Sequence, residues 1–222
     1  MMALLLFYMI QGFGLKMKID VIPLGIIGAN CYLVSDDDFA LVIDPGKYDE
    51  RIAKFLNDNA GVKRYIILTH AHFDHICGAK QLREETNTDI LISKNDAEGL
   101  FNPKFSLSEY FHIRQPIFYA DKMLDDGEIL SIGSKKIECL LTPGHSPGSM
   151  CFLIDEILFS GDTLFAGSIG RTDFPNSNHN DMISSLKRLS QLKAETRVLP
   201  GHGEGTTIGV ELVSNPFLRN LL

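Results

Sequence analysis

The segment Thr69-His70-Ala71-His72-Phe73-Asp74-His75 contains four side chains of metal-ligand type within six residues. On an extended backbone His70 and His72, two positions apart, point to the same side. Asp74 and His75 follow at the bend and can face a second point a few ångströms away, so the spacing suits two ions better than one. Neutral imidazoles and a carboxylate favour Zn, Fe or Mn over Mg or Ca, which prefer shells of oxygen. The segment therefore predicts a centre of first-row metal ions.

A histidine or an aspartate also follows each of five predicted strands, at the point where the strand ends. The five turns are Asp44-Pro-Gly after residues 40–43, Thr69-His70 after 65–68, Thr142-Pro-Gly-His145 after 137–141, Ser160-Gly-Asp162 after 157–159, and Pro200-Gly-His202 after 197–199. Because ligands collect outside the carboxyl ends of strands in parallel or mixed sheets, a shared edge would bring these turns together. Five unrelated surface turns are the alternative, which the uniform metal-ligand type of the side chains disfavours.

The rest of the chain alternates short apolar strands with amphipathic helices, which indicates α/β or α+β layering. Further strands are predicted at residues 19–22, 31–34, 90–92, 129–132 and 150–154, and helices at 48–57, 79–85 and 181–192. No stretch has the composition of a linker, so residues 17–222 are predicted to form a single domain. Residues 1–16 are predicted to be an N-terminal extension, because the first well-patterned strand begins at Met17. Their apolar run is too short to span a bilayer and lacks the positive leader of a secretory signal, and a signal peptide or a membrane contact is the alternative.

The motif at residues 69–75, together with His145, Asp162 and His202, resembles the metallo-β-lactamase-fold superfamily. The resemblance extends from about Met17 to the end of the chain. The C-terminal part of the chain is similar to the short, single-domain glyoxalase II-like hydrolases. The residues that carry this similarity are Pro200-Gly-His-Gly-Glu-Gly-Thr-Thr-Ile-Gly and then Asn215-Pro-Phe-Leu. The fold that this resemblance implies is an αββα four-layer sandwich, in which two mixed β-sheets are flanked by helices and the metals lie at one edge of the sheets.

The resemblance also implies which residues hold the ions. The residues implied for one ion are His70, His72 and His145, and those implied for the other are Asp74, His75 and His202. Asp162 would bridge the two ions, and Asp44 would orient one of the ligands from behind. The implied cofactors are two divalent first-row ions, with Zn favoured and Fe or Mn as alternatives.

The implied activity is that of a glyoxalase II-type hydrolase, in which a metal-bound hydroxide attacks a thioester such as S-lactoylglutathione. A metal ion lowers the pKa of bound water from about 15.7 to about 7, and Asp74 can accept a hydrogen bond from the resulting nucleophile. In the family a basic residue after the bridging aspartate binds the glutathione carboxylate, and Arg171 lies near that position. Pairing of Arg171 with Asp173 is the alternative. Full-length glyoxalase II has a C-terminal helical domain that this sequence does not match, so a different acyl thioester also fits.

Two rival functions fit the same residues. Persulfide dioxygenases share the fold and the Gly170-Arg-Thr-Asp173 loop, but use one iron ion held by two histidines and an aspartate. A metal-binding module without turnover is the second rival, which the absence of a flavodoxin or rubredoxin segment in the sequence disfavours. β-Lactam hydrolysis ranks lower, because Asp162 stands where many zinc β-lactamases have cysteine.

Composition limits the partners of the protein. The 222 residues have a formal net charge of −7 at pH 7 and no long basic run, which disfavours nucleic acid as a partner. The four cysteines form no C-x-x-C pair, which is typical of free thiols in a reducing cytoplasm. A cytoplasmic enzyme acting on a small-molecule thioester, without a membrane partner, is therefore the prediction.

Overall fold

The structure is a computed structural model that describes residues 17–219 and 221. The predicted N-terminal extension, residues 1–16, lies outside the described residues. The first sheet contains β1 (Lys18–Leu24), β2 (Ala29–Asp36), β3 (Phe39–Ile43), β4 (Lys63–Leu68), β5 (Ile90–Ser93) and β6 (Lys122–Leu124), in that spatial order. The second contains β7 (Ile129–Ile132), β8 (Lys135–Leu141), β9 (Met150–Ile154), β10 (Ile157–Gly161), β13 (Arg197–Pro200) and β14 (Thr206–Thr207). A hairpin is formed by β11 (Leu164–Phe165) and β12 (Ser168–Ile169).

The described helices are α1 (Glu50–Asp58), α2 (Phe73–Ile76), α3 (Ala79–Thr86), α4 (His179–Leu189), α5 (Ile208–Ser214) and α6 (Pro216–Arg219), with a 3-10 helix at Ala97–Leu100. Helix α4 begins two residues before its prediction, because the Asn178 side chain caps it by accepting the backbone N–H groups of Asn180 and Asp181. Across residues 17–219 and 221, none of the helices has the length and apolar character needed to cross a membrane.

Three apolar layers join these elements. The layer between the two sheets includes Val34, Leu41, Ile43, Ile67, Phe152 and Phe159. Helices α1 and α3 cover the outer face of the first sheet through Ile52, Leu56 and Leu82. Helices α4, α5 and α6 cover the outer face of the second sheet through Met182, Leu186, Leu189, Ile208 and Leu218. The order helix, sheet, sheet, helix confirms the αββα sandwich with two mixed sheets.

Strand direction brings the five ligand-bearing turns to one edge. In the first sheet β3 and β4 are parallel. In the second, β10 and β13 are parallel, and β8 runs in the same direction as β10 because each is antiparallel to β9. Two backbone hydrogen bonds join the sheets at this edge, from Met150 N–H to Thr69 C=O (2.8 Å) and from Asn30 N–H to Gly201 C=O (2.7 Å). The carboxyl ends of the five strands therefore face one shared site.

The core between the sheets gives a prediction about stability. Phe152 is fully buried there, so Phe152→Ala is expected to lower the free energy of unfolding by about 3–5 kcal/mol, through lost transfer energy and a residual cavity. Urea unfolding followed by circular dichroism measures the change. Ile129→Ala is the control, because this side chain is 58% exposed on an edge strand and its loss is expected to cost within about 0.5 kcal/mol. Equal losses in the two variants would contradict this account of the core.

Candidate metal centre

One group of three imidazoles lies at the end of the first sheet. One ring nitrogen from each of His70, His72 and His145 lies within 4.8 Å of the others, and all three side chains are buried. His72 Nδ1 and His145 Nε2 are 2.8 Å apart. Two nitrogens that each lie about 2.1 Å from a zinc ion at tetrahedral angles are about 3.4 Å apart. The first triad, as we call these three residues, is therefore compact enough to share one zinc ion, with the His72–His145 pair about 0.6 Å closer than a tetrahedral ion would set it.

A second triad, Asp74, His75 and His202, lies beside the first. Its ligand atoms are also within 4.8 Å of one another. Asp74 Oδ2 lies 3.2 Å from His202 Nε2 and 3.3 Å from His75 Nε2. Asp74 and His75 belong to the short helix α2, whereas His202 follows β13 of the second sheet. Both sheets therefore contribute to this triad.

Asp162 lies between the two triads. Its Oδ2 atom is 3.4 Å from His145 Nε2 and 3.6 Å from His202 Nε2, and its Oδ1 atom is 3.5 Å from His75 Nε2. One carboxylate thus reaches one member of the first triad and two members of the second. The seven side chains that the sequence singled out as ligands form one continuous cluster.

Several buried polar atoms in this cluster make no hydrogen bond with any described residue. They are His70 Nε2, His72 Nε2, His75 Nε2 and Asp162 Oδ1. Leaving a buried polar group without a partner costs about 1–3 kcal/mol. His72 faces His145 through Nδ1, so its Nε2 carries the ring proton, and His70 Nε2, His75 Nε2 and Asp162 Oδ1 are the three atoms that a cation would explain. A cation accepts lone pairs from nitrogen and oxygen atoms of this kind, and the donor set is one that first-row ions prefer. The residues present therefore fit a pair of such ions.

The charges of the cluster agree with this fit. Burial, followed by the neighbouring imidazoles, holds the pKa of His70 and of His72 well below the usual value, so both rings are neutral, the form that binds metal. Burial alone would lower the pKa of His75 as well, but the carboxylates of Asp74, Asp162 and Asp44 outweigh it and raise the pKa. The three carboxylates around His75 therefore stabilise positive charge at the second triad.

Asp44 supports the second triad from behind. Its Oδ1 accepts the Thr69 backbone N–H (2.7 Å), and its Oδ2 accepts the Thr69 hydroxyl (2.6 Å) and lies 2.9 Å from His75 Nδ1. Asp44, His70 and His75 also lie close enough together to resemble a metal-binding set. Since both oxygens of Asp44 already have donors, we propose that it orients His75, whose Nε2 atom faces the second triad.

Arg171 lies at the rim of the first triad, with its side chain 61% exposed. Its guanidinium donates two hydrogen bonds of 2.8 Å to Asp173 and lies 4.3 Å above the Phe174 ring. The Phe174 ring in turn contacts the rings of His72 and His145. The backbone carbonyl of Arg171 accepts a hydrogen bond of 2.9 Å from His145 Nδ1. The side chain thus pairs with Asp173, and the backbone orients His145.

Sequence reasoning missed the residues that hold the His202 loop. The Asn30 side chain donates to the carbonyls of Pro200 and Gly203, both at 3.0 Å, and the Tyr32 hydroxyl donates to the Pro200 carbonyl at 2.6 Å. Neither residue stands in a turn with a ligand-type neighbour. The one available signal was a polar Asn at the start of an otherwise apolar strand.

Gly201 provides a test of how tightly the cluster is built. A Cβ atom at this position would lie 2.2 Å from Asp162 Oδ1 and 2.8 Å from His75 Cε1. Gly201→Ala is therefore expected to displace both side chains and to weaken zinc binding by about 10–100-fold, the range seen when ligand orientation is disturbed. Chelator competition measures the affinity. Gly61→Ala, which would meet no atom within 4 Å, is the matched control, and equal affinities in the two variants would contradict the geometry.

A two-sheet sandwich with paired His and Asp triads at one edge is the architecture of a metal-dependent hydrolase. Residues 24–202 match the family model of the metallo-beta-lactamase superfamily, and the chain belongs to this superfamily. It is 36% identical over 210 residues to the hydroxyacylglutathione hydrolase GloC of Haemophilus influenzae, an alignment that covers 92% of this chain and 99% of GloC. The resemblance inferred from the motifs is thereby confirmed.

Two solved structures are similar to the chain over most of its length. The BLEG-1 B3 metallo-beta-lactamase has a TM-score of 0.82 and 36% identity, with 91% of this chain and 99% of that chain covered. TTHA1623, crystallised in a di-iron-bound form, has a TM-score of 0.79 and 36% identity, with 89% and 99% covered. These neighbours extend the similarity to one protein named for β-lactam hydrolysis and to one that binds iron.

Proposed function

We propose that the protein is a glyoxalase II-type thioester hydrolase acting on S-lactoylglutathione or a related acyl thioester. The observation that carries this proposal is the pair of triads joined by Asp162, with unpartnered buried nitrogen and oxygen atoms in the cluster. The name of the GloC relative supports the substrate class. A thioester also suits a site of this kind because a thiolate is a good leaving group and needs little acid catalysis.

The proposed ligands follow the two triads. The residues proposed for one ion are His70, His72 and His145, and those for the other are Asp74, His75 and His202, with Asp162 reaching both. When bound, a pair of divalent ions lowers the pKa of water and polarises the carbonyl of the substrate. We propose Zn as the native metal, with Fe or Mn as alternatives, and the di-iron neighbour supports including iron in the metal analysis.

Asp74 is proposed as the catalytic residue that orients the attacking water. Burial alone would raise the pKa of Asp74, but the adjacent His75 and the hydrogen bond from His202 hold it well below the usual range. The carboxylate therefore stays ionised at neutral pH and acts only as an acceptor. Asp74 Oδ2 faces His202 Nε2 at 3.2 Å within the second triad, so the lone pairs proposed to accept a water proton are those of Oδ1.

Arg171 is proposed to bind a carboxylate of the substrate. Its guanidinium is exposed at the rim and is held over the Phe174 ring, which itself contacts the first triad. A substrate carboxylate would replace Asp173 as the partner in a bidentate pair. Because the existing pair is solvent-exposed and screened by water, that exchange costs little.

The proposal is tested by metal analysis combined with a substrate panel. We expect close to two first-row ions per chain, and hydrolysis of S-lactoylglutathione or of another acyl thioester in the panel. About one iron per chain, with oxygen uptake on glutathione persulfide, would replace the proposal by the persulfide dioxygenase. Bound metal without either activity would favour a binding module without turnover.

A second candidate is β-lactam hydrolysis, which the BLEG-1 neighbour favours. An activated water at the same site could attack a strained amide as well as a thioester. A β-lactam series assayed with the same metal-loaded protein separates the two. A kcat/KM for any β-lactam that exceeds the value for every thioester would reverse the order of the candidates.

We further propose that residues 17–222 act as a single hydrolase domain in the cytoplasm. The three apolar layers run through the whole sandwich, which supports the first part. The four cysteines are free, and burial raises the pKa of Cys139 and of Cys77 to about 12, which suits thiols kept reduced and unreactive.

A further inference from the structure

Asp96 is a fully buried carboxylate next to the metal centre that the proposed function does not use. It lies in the turn after β5, just before the 3-10 helix, and its exposed fraction is 0%. Its side chain accepts three hydrogen bonds, from Ala71 N–H (2.9 Å) and the Ser146 hydroxyl (2.6 Å) on Oδ2, and from Gly148 N–H (2.6 Å) on Oδ1. Burying an ionised carboxylate is costly, and these donors offset part of that cost, while burial still raises the pKa of Asp96 above its ordinary value.

The three donors belong to the two loops that carry the first triad. Ala71 stands between His70 and His72, and Ser146 directly follows His145. Asp96 therefore connects a loop of the first sheet to a loop of the second, across 25 residues on one side and 50 on the other. Within residues 17–219 and 221, its side chain makes no hydrogen bond to helix α2, which carries Asp74 and His75, or to the turn of His202.

The three bonds require a carboxylate. An amide offers one acceptor oxygen, so in the Asp96→Asn variant the side-chain NH₂ group would face either Gly148 N–H or the pair Ala71 N–H and Ser146 hydroxyl. A donor would then oppose a donor in a buried place, and at least one bond would be lost. The packing at this contact is tight, because a Cβ atom at Gly148 would lie 2.5 Å from the Asp96 backbone nitrogen and 2.6 Å from Asp96 Oδ1.

The geometry points to Asp96 as a positioning residue that sets the zinc affinity of the first triad by holding the loops of His72 and His145 at their ligating separation. Its action is indirect, because the carboxylate bonds to Ala71, Ser146 and Gly148 and to none of the proposed ligands. The negative charge of the Asp96 carboxylate also raises the zinc affinity, because a buried anion attracts a nearby cation. The inference rests on the proposed function, because it presupposes that the triads bind metal.

The test is zinc titration of the apoprotein and its variants with a chromogenic chelator that resolves the two sites. For Asp96→Asn we expect the affinity for one zinc ion to fall about 10–100-fold, while the affinity for the other stays within about twofold. Ser146→Ala removes only one of the three donors, and is expected to weaken the same site by a smaller factor. Cobalt(II) substitution gives a second readout, because its visible absorption bands report ligand geometry and are expected to change for one ion only.

Asp121→Asn is the matched control. Asp121 also accepts a backbone N–H, from Ile90 at 2.9 Å, and pairs with Arg83, but it lies next to β6 rather than at the triads. This variant is expected to bind two zinc ions as tightly as the wild type. If it loses zinc affinity like Asp96→Asn, the effect is general destabilisation and the inference is wrong.

The remaining outcomes also separate the two proposals. Wild-type affinity at both sites in Asp96→Asn, or equal weakening of both sites, would overturn the role of Asp96 and leave the proposed hydrolase intact. A wild-type protein that binds no zinc, iron or manganese would instead overturn the proposed function, and the positioning role with it. If circular dichroism shows that Asp96→Asn does not fold, the zinc affinity of Ser146→Ala tests the inference instead. Wild-type zinc affinity in Ser146→Ala would then overturn it.

Discussion

His72→Ala is expected to lower thioester hydrolysis by more than about 100-fold and to remove one zinc ion per chain. The His72 ring lies 2.8 Å from His145 and is buried, so alanine leaves a gap in the first triad that no neighbouring side chain fills. Disturbing a residue that merely orients a ligand costs about 10–100-fold, and losing the ligand itself is expected to cost more. Inductively coupled plasma analysis and the thioester assay measure the two effects on the same preparation.

His112→Asn is the control for His72→Ala. His112 is an exposed histidine with a φ of 55°, a backbone conformation that asparagine tolerates well. We expect this variant to keep both ions and full activity. If His72→Ala also retained two ions and more than a tenth of the activity, the first triad would not be a metal site.

Asp162→Asn is expected to weaken both zinc ions, in contrast to the loss of one ion in His72→Ala. Its carboxylate lies within 3.6 Å of nitrogen atoms from both triads, and the change removes its negative charge with almost no change in shape. We expect each affinity to fall by at least about 10-fold, and activity by more than about 100-fold. Chelator competition resolves the two affinities.

The comparison of these two variants tests the bridging position of Asp162. If Asp162→Asn weakens only one ion, the carboxylate serves a single triad and the two sites are independent. If it weakens neither, Asp162 is not a ligand, and its unpartnered Oδ1 atom needs another explanation.

The cluster could be predicted because its members carry rare side chains at strand ends. His70 and Asp162 each follow a short apolar run, and the rule that ligands gather at carboxyl ends of strands is independent of the details of the loops. Asp96 also follows a short strand, β5, but its turn contains neither glycine nor histidine. The donors that give Asp96 its role lie up to 52 residues away, and a distance of that kind is fixed by tertiary packing alone.

The fold was predicted best where the hydrophobic period is clear. The ten predicted strands all lie inside observed strands. The strands β6, β11, β12 and β14 were not predicted, because two or three residues give no period. Helix α5 was missed because Ile208, Gly209 and Val210 are poor helix formers. The Thr207 hydroxyl, which accepts the Val210 N–H, starts that helix in spite of its composition.

Both sheets supply the atoms of each triad, so the proposed ions would connect the two sheets. His72 and His145 are 73 positions apart in the chain, and Asp74 and His202 are 128 apart. An ion bound by residues of both sheets would hold the two sheets together. At a free concentration about 1,000 times its Kd, such an ion would stabilise the native state by about 4 kcal/mol. If the proposed ions are bound in the cell, scarcity of the metal is expected to lower the amount of folded protein as well as its activity.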